Sequence, residues 1–119
     1  MTIRLRAAAL LAALLFAPAA FAGNPVGKYA VEGHNPDGQT TYSGTAPGVQ
    51  TGETYKVTWN IGGSVYVGTG LGDKNFLAVS YKSGADTGLA LYGEDGDNWA
   101  GIWTYHNGKK VGAEMWTRQ

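Results

Sequence analysis

Cysteine is absent from this sequence of 119 residues. That excludes disulfide staples, a thiol nucleophile, thiolate metal ligands and acylation of a cysteine by lipid. Small exported domains often depend on disulfides, so this chain must hold itself by packing and strand pairing. Histidine is scarce: His34 and His106 are the two, set beside Asn35-Pro36 and Asn107-Gly108 in turn-like surroundings. Their spacing offers no zinc site, and no metal or cofactor is expected. Of the serines 43, 64, 80 and 83, none sits in a G-x-S-x-G elbow. Glu32, Glu53 and Glu114 could in principle supply a pair of catalytic carboxylates, but each reads as a charge on the solvent face of a strand, so no enzyme activity is expected. No stretch keeps a 3.6-residue apolar period long enough for a helix.

The first 22 residues read as a secretory signal peptide. Arg4 and Arg6 form a basic start, residues 7–16 a short apolar run, and Ala20-Phe21-Ala22 a cleavage pattern before Gly23. The apolar run is shorter than the ~20 residues a membrane span needs. Cleavage leaves 97 residues, enough for one small domain (residues 23–119), and a periplasmic or secreted location. Seven lysines and arginines then face nine acids, a net charge of −2. A faintly acidic domain has no grip on phosphate backbones, so nucleic acid and anionic membranes are poor partners, and with no second apolar run of spanning length no membrane insertion is expected after signal cleavage.

What the chain has in abundance is glycine, 19 residues, interleaved with tyrosine, valine, threonine and tryptophan. That mixture suits short strands and tight turns. Residues 27–33 alternate as a first strand, and Asn35-Pro36-Asp37-Gly38 turns the chain. Residues 39–45 make a second strand, which Pro47-Gly48 should end or bulge. Residues 53–59, 64–69, 75–81 and 88–93 follow as strands three to six. Gly68-x-Gly70-x-Gly72 is followed by a strand rather than a helix, which removes a dinucleotide fingerprint and leaves a glycine-rich turn. Residues 82–87 read as a polar loop. Glu94-Asp95-Gly96-Asp97 is the densest oxygen cluster, read as a solvated turn because the full calcium-loop pattern is missing.

Asn107-Gly108 carries the strongest hairpin signal, a type I′ turn between the two strand-like runs that flank it within residues 98–118. Trp99, Gly101, Trp103 and Tyr105 share one face. Val111, Ala113 and Met115 alternate with Gly112, Glu114 and Trp116. Trp59, Trp103 and Met115 are expected to fill a core, with Glu114 on the solvent side. Eight evenly spaced strands predict an all-β fold, an eight-stranded antiparallel up-and-down barrel, with a two-sheet sandwich as the alternative. Aromatic side chains stack on apolar ligands, sugars and proteins alike. Tyr42, Tyr66, Tyr105 and Trp116 are the candidate ligand- or partner-binding residues.

The segments YAVEGHNPDG (29–38), Tyr42-Ser43-Gly44, YKVTW (55–59), Val67-Gly68-Thr69-Gly70 and GAEMWTR (112–118) resemble a family of small exported proteins of Gram-negative bacteria, commonly labelled fibronectin-binding. The likeness spans nearly the whole chain after the leader. The chain departs from that pattern at Ala46-Pro47-Gly48, where the second strand is expected to be cut short. The overall plan is also similar to avidin-like and lipocalin-like meanders. The resemblance implies a non-enzymatic binding module whose partner is an extracellular protein such as fibronectin, met on the outer surface. A periplasmic carrier holding a small apolar ligand in the barrel is the alternative.

Overall fold

A computed structural model describes residues 24–119; the signal-peptide reading of residues 1–22 lies outside them. Eight strands follow in order: β1 Gly27–His34, β2 Thr41–Thr51, β3 Thr54–Ile61, β4 Ser64–Gly72, β5 Phe76–Ser83, β6 Asp86–Asp95, β7 Asn98–Tyr105 and β8 Gly112–Arg118. Each pairs antiparallel with its neighbour in sequence, and β8 returns to β1, so the sheet closes into a barrel. Val31 marks the seam, opposite Gly44 on β2 and Trp116 on β8. Closure leaves no sheet edge to protect.

The turns follow from their glycines. Gly62 and Gly63 both take positive φ, 58° and 84°, between the paired residues Ile61 and Ser64. A two-residue turn of that kind twists as the flanking strands do. Four connections, after β1, β3, β5 and β7, gather at one end. The chain termini and the other turns gather at the opposite end.

Four local expectations need correction. Pro47-Gly48 does not end β2. The strand runs through, and its pairing to β3 keeps one register on both sides, Thr45 opposite Asn60 and Gly48 opposite Val57. Pro47 instead sits opposite Lys28 of β1. The glycines at 68, 70 and 72 are not a turn: they lie within β4, and Cβ atoms there would run into Val79, Leu77 and the backbone of Phe76 respectively. The 82–87 loop shrinks to Gly84-Ala85, since Ser83 already pairs with Asp86. The Asn107-Gly108 hairpin forms with its register centred on that pair, but β7 stops at Tyr105 and β8 starts at Gly112. Asn107 takes φ 63° while Gly108 is not left-handed, so the turn is not type I′.

The fourth correction extends to the faces of β8. Cross-strand partners point to the same side of a sheet. Trp99 lies opposite Trp116 and Gly101 opposite Glu114, so Gly112, Glu114 and Trp116 face inward. Met115 points out and is 55% exposed, whereas Glu114 is 5% exposed. The core is formed by Tyr29, Val31, Val57, Trp59, Leu77, Val79, Trp99 and Trp116 with their neighbours. It fills the end of the barrel where the chain termini meet.

Candidate binding cavity

That filled end is also sealed. Arg118, the last strand residue of β8, turns its guanidinium across it. Nη1 donates to the carbonyl of Val26 at 2.8 Å, Nη2 to that of Asn24 at 2.7 Å, and Nε to that of Asp97 at 3.1 Å. The same group lies 4.9 Å from the centre of the Tyr29 ring. The Tyr29 hydroxyl donates to the carbonyl of Pro25 at 3.0 Å. Residues 24–26 are thereby strapped over the barrel bottom.

The other end holds a cavity of about 370 Å³. Its walls come from the strand ends that converge there. Tyr42 enters from the start of β2, Trp59 and Ile61 from the end of β3, and Tyr66 from the start of β4. Tyr81 closes β5, Ala90 and Tyr92 descend on β6, and Trp103 and Tyr105 close β7. Asn35 and Asp86 stand on the rim, and Glu114 of β8 reaches the cavity from its floor.

Glu114 is the centre of this arrangement. Its Oε2 accepts the indole N–H of Trp59 at 2.8 Å, the indole N–H of Trp116 at 2.6 Å and the hydroxyl of Tyr92 at 2.6 Å. Its Oε1 accepts only the hydroxyl of Tyr42, at 2.5 Å. The four donors belong to β2, β3, β6 and β8, so one carboxylate ties together strands from around the whole barrel. Burying a carboxylate is costly unless hydrogen bonds replace its water, and four donors do that here. A carboxylate offers about four lone-pair sites, two on each oxygen. Oε2 is therefore fully committed, and Oε1 keeps a lone pair free.

The tyrosines respond to this environment. Burial first, and then the negative charge of Glu114, hold the Tyr42 and Tyr92 hydroxyls protonated well above the ordinary value of 10.0. They stay donors to the carboxylate. Tyr81 is pushed up to about 12, chiefly by burial and then by the neighbouring Tyr105 and Tyr66.

Glycine makes this ring of aromatics possible. One row across the sheet reads Tyr92, Gly101, Glu114, Gly33, Tyr42. A Cβ at Gly101 would press into the Tyr92 ring, and one at Gly33 into the Tyr42 ring. The two glycines thus leave open the slots through which both hydroxyls reach Glu114. Gly112 does the same for the Trp103 indole, and Gly88 for the Tyr81 ring. The rings brace each other edge to face, Trp103 against Tyr42 at 6.0 Å and Trp59 against Tyr81 at 6.0 Å between centroids. The indole nitrogen of Trp103 finds no acceptor among the described residues, and it is covered, so it presents nothing to the cavity.

Of the residues singled out from the sequence, Tyr42, Tyr66 and Tyr105 are brought together in the cavity wall. Trp116 is not with them: it is fully buried beneath the floor, where it donates to Glu114 and packs against the lining rings of Trp59 and Tyr92. Sequence reasoning put Glu114 on the solvent side, did not set Tyr81 and Tyr92 apart from the other aromatics, and read Trp59 and Trp103 as filler. Trp59 is core and wall at once, and Trp103 is only partly buried. Among the described residues the outer wall carries no cluster of aromatics; Leu71, Ala78, Leu91, Ile102 and Ala113 form a row across it from β4 to β8. No family model and no curated protein matches the chain.

Proposed function

We propose that this protein binds a small molecule in the open end of its barrel, as a carrier or scavenger that performs no chemistry on it. The observation that supports this is a cavity of about 370 Å³, open at one end, walled by aromatic rings and sealed at the other by Arg118. A volume in the range of about 300–1,000 Å³, apolar walls and few polar groups suit a small ligand. The carboxylate at the floor is held by four hydrogen bonds, an arrangement for fixing a ligand rather than for moving protons. In this reading the chain acts after export, in the periplasm or outside the cell.

Native mass spectrometry of protein purified from its own host tests the proposal. A co-purifying mass that leaves on denaturation is expected. A bare protein that also fails to take up the neutral apolar dye N-phenyl-1-naphthylamine would overturn it.

A second reading, a protein partner such as fibronectin on the outer wall, is favoured by the row from Leu71 to Ala113, with Leu71 63% and Leu91 51% exposed. Outward residues of β1 and β3 are polar by contrast except Ala30, with Lys28, Glu32, Lys56 and Asn60 among them. Immobilised fibronectin should then lose binding to Leu91→Glu and Ile102→Glu; equal binding by both variants, or none by the wild type, refutes it.

A further inference from the structure

We infer that the ligand of this cavity is a small organic cation carrying an N–H, an arylalkylammonium or a molecule of like shape, with its ammonium on Glu114 and its apolar part among the rings. This rests on the cavity being a ligand site, as proposed above.

Charge is the first reason. The residues that line the cavity include two carboxylates, Glu114 on the floor and Asp86 at the rim, and no lysine, arginine or histidine. Lys109 and Lys110 stand in the rim loop, but they are exposed and are not part of the lining. A cleft of one sign with low-dielectric walls focuses its field and raises the local concentration of the opposite charge. An anion inside the cavity would meet two carboxylates and no cation in the lining.

The second reason is the state of Glu114 itself. All four of its partners are neutral groups, two indoles and two phenols. Hydrogen bonds satisfy its lone pairs in part, but no cation among those partners balances its charge. Its free lone pair is on Oε1, the oxygen bonded only by Tyr42, whose hydroxyl is the donor in that bond. A ligand N–H fills that position, and an ammonium fills it with the missing charge.

The walls are the third reason. Seven aromatic side chains line the cavity, Trp59 and Trp103 among them. Rings around a cation attract it through their quadrupoles, and such cages are how proteins hold organic ammonium groups. The same walls take an apolar ring or chain. A carboxylate floor under an aromatic sleeve therefore matches a molecule that is charged at one end and greasy at the other.

Four probes of one shape test this by calorimetric titration of the protein purified from its host: benzylamine, benzyltrimethylammonium, benzyl alcohol and benzoate. Benzylamine is expected to bind roughly 10- to 100-fold more tightly than benzyl alcohol, the span a charge-assisted hydrogen bond is worth. Benzyltrimethylammonium should fall between them, and benzoate should not bind. In Glu114→Gln, checked for fold by circular dichroism, the preference for amine over alcohol should vanish. If that variant does not fold, the wild-type ranking decides. Benzyl alcohol or benzoate binding as well as benzylamine would overturn the proposal, and quaternary and primary ammonium binding equally would overturn the N–H contact at Oε1. Failure of all four probes alongside uptake of N-phenyl-1-naphthylamine would reject the cation while keeping the carrier. Failure of the dye as well would reject both.

Discussion

Replacing Glu114 with alanine removes the acceptor on which four donors converge. Tyr42 borders the cavity and can turn its hydroxyl to solvent. Trp59, Tyr92 and Trp116 cannot, being at most 4% exposed. Three stranded donors cost about 1–3 kcal/mol each, a gross loss of roughly 3–9 kcal/mol. Two effects offset part of it. The variant no longer holds an ionised carboxylate out of water, which is worth several kcal/mol, and water can enter from the cavity to take up some of the donors. A net loss of about 2–4 kcal/mol remains, large against the roughly 5–15 kcal/mol of a domain. Glu114→Gln should lose less, about 1–2 kcal/mol. Its amide oxygen still accepts the three buried donors, through neutral bonds about half as strong as charge-assisted ones. Its NH2 then meets the Tyr42 oxygen, which can accept. Urea unfolding followed by tryptophan fluorescence reads both values, as a shift in midpoint at constant slope. The reasoning is refuted if Glu114→Ala unfolds within about 0.5 kcal/mol of the wild type, or if the glutamine variant is the less stable of the two.

Other consequences can be checked alongside. Gly33→Ala should expel the Tyr42 ring from its slot, costing about 1–3 kcal/mol by overpacking and lowering ligand uptake; a Gly38→Ala control, in the open rim turn at φ 75°, should leave uptake alone. Tyr42 and Tyr92 keep their protons in the folded state above the ordinary value of 10.0. Their contribution to stability is then complete below pH 10 and is lost as the pH rises toward their folded values. Absorbance titration should show two tyrosines ionising only together with unfolding, and a smooth titration of all seven tyrosines in the folded protein would contradict this. Arg118→Ala should cost about 1–3 kcal/mol through its lost carbonyl contacts, and should raise amide exchange in residues 24–26 without changing uptake at the open end. Trp99→Ala, at a fully buried position, should cost about 3–5 kcal/mol, more than Trp103→Ala in the half-open wall.

The barrel was largely legible in the sequence because its signals are local. Period-two alternation and a glycine after almost every strand count eight strands without any knowledge of their pairing. The carboxylate was legible too, but only through one further step. The register of β7 and β8 is symmetric about Asn107-Gly108, which puts Trp103 opposite Gly112 and Gly101 opposite Glu114. Following that pairing sends Glu114 to the face of Trp99 and Trp103. Reading β8 alone favours the reverse, because Met115 is the apolar residue and Glu114 the charged one. Residue type misleads where a buried acid is held by hydrogen bonds. The partners of Glu114 could not be read at all. Tyr42 and Glu114 are 72 residues apart, and their meeting depends on closure of the barrel and on the space above Gly33. Pro47 misled for a related reason: its effect depends on which neighbour it faces, and the strand tolerates it opposite Lys28.

Nuclear magnetic resonance of the indole N–H groups tests the central claim, a buried carboxylate hub beneath an open cavity, most directly. The four tryptophans give four such signals. Those of Trp59 and Trp116, bonded to Glu114, should lie downfield and resist exchange. On addition of benzylamine, Trp59 and Trp103 should shift while Trp99, at the sealed end, stays in place. Shifts at Trp99 instead, or no downfield pair in the free protein, would contradict the account.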